Sequence, residues 1–113
     1  MIHRMGLYDI PFNAIKSGEK TVEVRLNDEK RRKLNIGDKI EFTVVPDQDE
    51  TLLVEVKGLK EYNTFKDMYE AIPAKALGAV GDSIEKMVEN TFEIYTAERE
   101  KEWGTLAIFV QLV

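Results

Sequence analysis

The chain has no cysteine and a single histidine, His3. Disulfides, thiolate chemistry and zinc sites of the Cys/His kind are therefore excluded, and no Ser/His/Asp set can be assembled around one histidine near a terminus. Carboxylates abound, but there is no Asp-x-Asp-x-Asp-Gly loop and no His-Glu-x-x-His helix, so no metal and no cofactor is expected. Neither is a phosphate-cradling glycine loop present, because Gly78 and Gly81 lack both the strand-to-helix setting and a following lysine. No apolar run reaches membrane-spanning length, and Met1 to Ile10 carries charge where a leader peptide would need its apolar centre, so the expected location is the cytoplasm, with no membrane partner.

What is present is an ordinary globular composition, 43% hydrophobic and 33% charged over 113 residues, enough for one domain (1–113) with its own core. The net charge of −5 argues against broad binding to nucleic acid through many phosphates. Local charge differs from the total. Lys30, Arg31, Arg32 and Lys33 form a basic run near Lys20 and Arg25, whereas Glu85 to Glu102 is mostly acidic. If these regions lie apart, the molecule has a basic face.

Hydrophobic spacing predicts the elements. His3 to Tyr8 reads as a first strand, and Pro11 to Ser17 as a helix of about two turns that Gly18 terminates and that delivers Lys20. Thr21 to Arg25 alternates, with Val22 and Val24 on one face and Thr21, Glu23 and Arg25 on the other. Leu26 to Leu34 is charged and without apolar period, a solvated turn of helix or a loop. Asn35 to Asp38 is a turn. Ile40, Phe42 and Val44 mark a strand, Pro46 to Glu50 a hairpin loop, and Thr51 to Lys60 the returning strand.

Thr64 with Asp67 starts a helix carrying Phe65, Met68, Tyr69 and Ile72 on one face. Pro73 to Gly81 is a loop suited to border a pocket. A further helix is expected from Asp82, with Glu85 at the capping position and a stripe running from Ile84 to Tyr95, and Thr96 to Trp103 adds a turn before Gly104. Thr105 to Val113 is apolar on both faces, as a strand covered from both sides would be. The fold class is α+β, a small mixed β-barrel with helices packed at one rim.

Three charges dominate the candidate site: Lys20, Glu23 and Arg25. If their strand face meets water, Glu23 and Arg25 are a surface ion pair worth about 1 kcal/mol or less. If it lines a concavity, the lysine loses hydration and the arginine can grip a phosphate or carbonyl with parallel bonds. Arg31 and Arg32 read either as a solvated face or as contacts to backbone phosphates. Tyr62, Phe65 and Trp103 are candidates to stack on a base, Trp103 the best of them and Phe65 better suited to the core.

Gly18-Glu-Lys20-Thr-Val-Glu23-Val-Arg25 resembles the Gly-x-Lys-x-x-Glu-x-Arg signature of the ASCH domain family (activating-signal-cointegrator homology). Ile36-Gly-Asp38 ahead of a strand, and the acidic segment leading through Gly104 into a final apolar strand, are similar to small bacterial members. The resemblance implies a PUA-like β-barrel with a cleft lined by the signature charges, and binding of RNA or of a modified nucleoside by Lys20, Glu23, Arg25, Arg31, Arg32 and Trp103. One branch of the family hydrolyses the amide of acetylated cytidine with a lysine base, a threonine nucleophile three residues later and a glutamate. Lys20 matches the base, but Glu23 stands where the threonine would be, and a carboxylate cannot become an alkoxide. An N4-acylcytidine amidohydrolase would have to use Glu23 to activate water, with Lys20 or Arg25 on the oxyanion and Asp82 as the only candidate for the remaining acid. A protein adaptor using the acidic helix from Asp82 against a basic partner is a further alternative.

Overall fold

The computed structural model describes residues 1–113. Five strands form one curled sheet in the order β1-β3-β4-β5-β2: β1 is Ile2–Tyr8, β2 Val22–Leu26, β3 Lys39–Val45, β4 Thr51–Tyr62 and β5 Thr105–Leu112. Only β1 and β3 pair in parallel, with His3 opposite Ile40 and Leu7 opposite Val44; the other ladders are antiparallel. Four helices accompany the sheet, α1 (Asp9–Lys16), α2 (Phe65–Ala71), α3 (Ile84–Thr91) and α4 (Ala97–Trp103). The chain forms the expected mixed α+β fold, with the barrel-like sheet curled into a half-barrel.

Two cores lie on opposite faces of the sheet, and β5 belongs to both. Leu106, Ile108 and Val110 face inside the curl, where they meet Met5, Leu7, Phe42 and Val54, and Phe12 and Ile15 of α1 plug this side. Ala107 faces the other way, toward Phe65, Met68, Tyr69 and Met87 of the helical layer, together with Val22 and Leu26 of β2. This double coverage explains why the last strand lacks polar alternation.

Several boundaries differ from expectation. α1 begins at Asp9, so Pro11 is its third residue, still within the first turn where a missing N–H has no intrahelical partner to lose. Gly18, at φ +85°, ends it as expected. α3 is capped by Ser83, whose hydroxyl accepts from Lys86 N–H, rather than starting at Asp82, and it stops at Thr91. α4 is a separate helix with its own cap, Thr96 accepting from Arg99 N–H, and Gly104 follows it at φ +72°. Arg31–Lys33 is a single 3-10 turn, but the segment around it is not all solvated, since Leu26, Asn27 and Leu34 are buried.

The sheet does not close through a β1–β2 ladder. Side chains bridge the seam instead. Arg25 donates from Nη2 to the Gly6 carbonyl at 2.8 Å, and Lys30 donates to the Arg4 carbonyl at 2.6 Å. On the other side of β1, His3 donates from Nε2 to Asp38 just ahead of β3 at 2.8 Å, so the lone histidine has a structural partner.

Candidate functional site

The register of β2 against β5 decides where the signature charges point. Glu23 lies opposite Ile108 and Arg25 opposite Leu106, both residues of the inner core, so the two charged side chains enter the concave side of the curl. Glu23 is 3% exposed and Arg25 8%. A solvated ion pair is thereby ruled out. Each carboxylate oxygen of Glu23 has its own cation: Oε1 is 2.9 Å from Lys20 Nζ, and Oε2 accepts from Arg25 Nε at 2.7 Å.

Lys20 is held at several points. Its N–H donates to the Ala14 carbonyl at the end of α1, while the N–H groups of Thr21 and Val22 both donate to Ala76 in the loop over residues 73–83. Its aliphatic stem lies over Gly78, where a Cβ would come within 3.2 Å of it. A half-buried ammonium on such a seat is aimed rather than free to wander.

Burial is the largest single influence on the Glu23 carboxyl and would raise its pKa, but Lys20 and Arg25 together outweigh it and hold the group below its ordinary 4.5. Glu23 is thus a permanent anion and a weak base, with both oxygens engaged. Lys20 retains further donors beyond the one facing Glu23, as does the Arg25 guanidinium, so this end of the site offers donors and net positive charge.

These residues floor a cavity of about 400 Å3 between β1, β2 and the segment over residues 69–95. Gly6 and Tyr8 contribute one wall; Leu77 and Ala79 of the loop, Met87, Asn90 and Thr91 of α3, and Tyr95 form the opposite one. The loop expected to border a pocket does so. Asp82 lies at this cavity as well, exposed at its rim. Tyr69, on α2, is pushed up to about 12 by burial and stays a neutral phenol, and burial also raises Tyr95.

Arg31, Arg32 and Trp103 are outside this cavity. Arg31 pairs with Asp28 at 3.1 Å. Arg32 donates to the carbonyls of Asn27 (2.7 Å) and Trp103 (3.3 Å), and its guanidinium sits over the Trp103 ring, 5.4 Å from its centre. Arg32 and Trp103 border a second recess of about 440 Å3 with Asn27, Glu61 and Asp67. Within the basic run, Arg32 is thus engaged by Trp103 just after the acidic segment, and Arg31 by Asp28. Phe65 is core, stacked with Tyr95 at 5.6 Å, and Tyr62 lies under Lys60.

Tyr69, Asn90, Thr91 and Tyr95 are cavity residues that sequence reasoning did not single out. Tyr69 and Tyr95 were assigned to apolar helical stripes, and a stripe does not distinguish a packed core from the wall of a cavity. No group of three or more His, Cys, Asp or Glu side chains is arranged to hold a metal ion, and no helix is long and apolar enough to cross a membrane.

The sequence matches the ASCH domain family over residues 5–113, and the chain belongs to that family. Among solved structures it is similar to hypothetical protein PH0355, with a TM-score of 0.90 and 37% identity over 100% of both chains. It also resembles protein PF0455 from Pyrococcus furiosus, at a TM-score of 0.79 and 34% identity, covering 100% of this chain and 98% of that one. The ASCH domain from Lactobacillus crispatus JV V101 shares the fold alone, at a TM-score of 0.65 and 15% identity, over 97% of this chain and 79% of that one. Among curated proteins, none matches the sequence.

Proposed function

We propose that this ASCH domain binds RNA or a modified nucleoside in the cytoplasm by taking one nucleoside-sized group into the cavity above Lys20, Glu23 and Arg25. The observation that carries the reading is the charged floor itself. Two cations share one buried carboxylate at the base of a cavity of about 400 Å3, and both keep donors to spare. That volume falls in the usual range for small-ligand sites, roughly 300–1,000 Å3, where an apolar lining surrounds a few fixed polar groups. Surplus donors suit the carbonyl and ring-nitrogen acceptors of a base, and Tyr8, Tyr69 and Tyr95 supply aromatic wall. A net charge of −5 favours recognition of a base over a track of phosphates, so Arg31, Arg32 and Trp103 are assigned no part in holding the base.

Amide hydrolysis fits the site less well. Glu23 occupies the position of a hydroxyl nucleophile, and its depressed pKa makes it a poor base toward water.

Calorimetric titration with uridine, cytidine, N4-acetylcytidine and a short single-stranded RNA tests the proposal. Saturable binding is expected, weakened about tenfold or more in Lys20→Ala by loss of a charge-assisted bond, with the acetyl group left intact. An absence of saturable binding to all four ligands would refute it. Loss of acyl-cytosine absorbance in the wild type, abolished in Lys20→Ala, would make the domain a hydrolase.

A further inference from the structure

The cavity wall opposite the charged floor contains a hydrogen-bond chain whose direction is fixed. Tyr69 Oη lies 2.6 Å from Thr91 Oγ1, and Thr91 Oγ1 lies 2.8 Å from the Met87 carbonyl oxygen. A carbonyl only accepts, so the single Thr91 proton goes to Met87. Both bonds then form in one way alone, with the Tyr69 proton donated to Thr91. Tyr69 is left with lone pairs and nothing to donate.

The ring itself is held. It is buried, stacked near Phe65 at 6.3 Å between centroids, and the phenol stays neutral because burial pushes its pKa up to about 12. Tyr69 lines the same cavity as Lys20, Glu23 and Arg25 of the charged floor. Tyr69, Thr91 and Met87 all line the cavity.

Resting on the nucleoside reading above, we infer that Tyr69 is an acceptor-only contact in the cavity, which a ligand must meet with an N–H or O–H, and that Thr91 is the positioning residue that fixes this polarity. Lys20 and Arg25 are obligate donors, so the site presents donors on its floor and an acceptor on its wall. The matching ligand edge carries an N–H beside a carbonyl or ring nitrogen, as an unmodified pyrimidine does.

The test compares affinities for uridine with 3-methyluridine, and for cytidine with N4,N4-dimethylcytidine, in the wild type, Tyr69→Phe and Thr91→Val. Folding of each variant is checked by circular dichroism. The wild type is expected to prefer the N–H form of at least one pair by roughly five- to tenfold, the worth of one hydrogen bond. Tyr69→Phe is expected to erase that preference. Thr91→Val, which releases the Tyr69 proton while leaving the ring in place, is expected to narrow it. A hydroxyl that merely braced α3 would lower both affinities alike and leave their ratio unchanged. Equal binding of both forms by the wild type, or an undiminished preference in Tyr69→Phe, overturns this inference and leaves nucleoside binding standing. Failure of the wild type to bind any of the four nucleosides overturns both.

Discussion

Arg25 and Gly6 join the two strands at opposite ends of the sheet order: the guanidinium Nη2 donates to the Gly6 carbonyl at 2.8 Å while its Nε holds Glu23 at 2.7 Å. The planar fork serves two partners from two separate nitrogens held at a fixed spacing, a geometry the single nitrogen of a lysine does not reproduce. Arg25→Ala, which leaves Glu23 buried with half its countercharge, is expected to cost about 3–5 kcal/mol. Arg25→Lys is expected to recover only part of that. Urea unfolding midpoints of the three proteins check the order.

Acid should loosen the same site. The folded-state pKa of Glu23 lies below its ordinary 4.5, so its contribution to stability is complete above that value and is lost as pH falls through the depressed folded value. Asp38 is depressed too, first by its hydrogen bond from His3, and adds a loss in the same direction. The urea midpoint of wild type is therefore expected to fall more steeply with acid than that of Glu23→Gln. Parallel pH profiles for the two proteins would show that Glu23 is not a source of the acid sensitivity.

Gly78 and Gly81 separate backbone strain from site geometry. Both have positive φ, +72° and +88°, but a Cβ at Gly78 meets the Lys20 stem at 3.2 Å, whereas at Gly81 it meets nothing within 4 Å. Alanine at either position is expected to cost about 1–2 kcal/mol from the left-handed backbone. Only Gly78→Ala is expected to weaken nucleoside binding as well, through displacement of Lys20. Calorimetry beside thermal unfolding distinguishes the two effects.

Glu100 ties α4 to α2, its Oε2 accepting from the Phe65 N–H at 2.9 Å at the first helical residue. A carboxylate at a helix N-terminus gains from both the hydrogen bond and the helix dipole. Glu100→Ala is expected to lower stability by about 1–2 kcal/mol, and Glu100→Gln by less, since the amide still accepts. Thermal unfolding of the pair measures the difference.

Much of this site was visible in the residues alone, but its burial was not. Alternation along Thr21 to Arg25 reveals that Glu23 and Arg25 share a face; it carries no information on what covers that face. The cover comes from β1 and from the segment over residues 69–95, distant in sequence. The hairpin of β3 and β4 was legible because both strands alternate and a polar loop joins them. The break between α3 and α4 was not, because no glycine or proline separates Thr91 from Thr96 and the apolar spacing runs through to Tyr95. The run from Lys30 to Lys33 carries the pattern of a solvated face, yet Arg32 lies over Trp103, 71 positions away, a contact that local pattern cannot encode.

The open seam of the sheet has a consequence for how molecules of this protein meet one another. β1 has a ladder partner on one side only, and a bare strand edge invites another chain to add its own strand. Here the outward carbonyls of Arg4 and Gly6 are already taken by Lys30 and Arg25, and on β2 the outward N–H of Val22 is taken by the Ala76 carbonyl. Each end of the sheet is thus partly capped, and one of the capping groups, Arg25, belongs to the floor of the cavity. The contacts that tie the two end strands across the seam therefore also leave a second chain less to pair with.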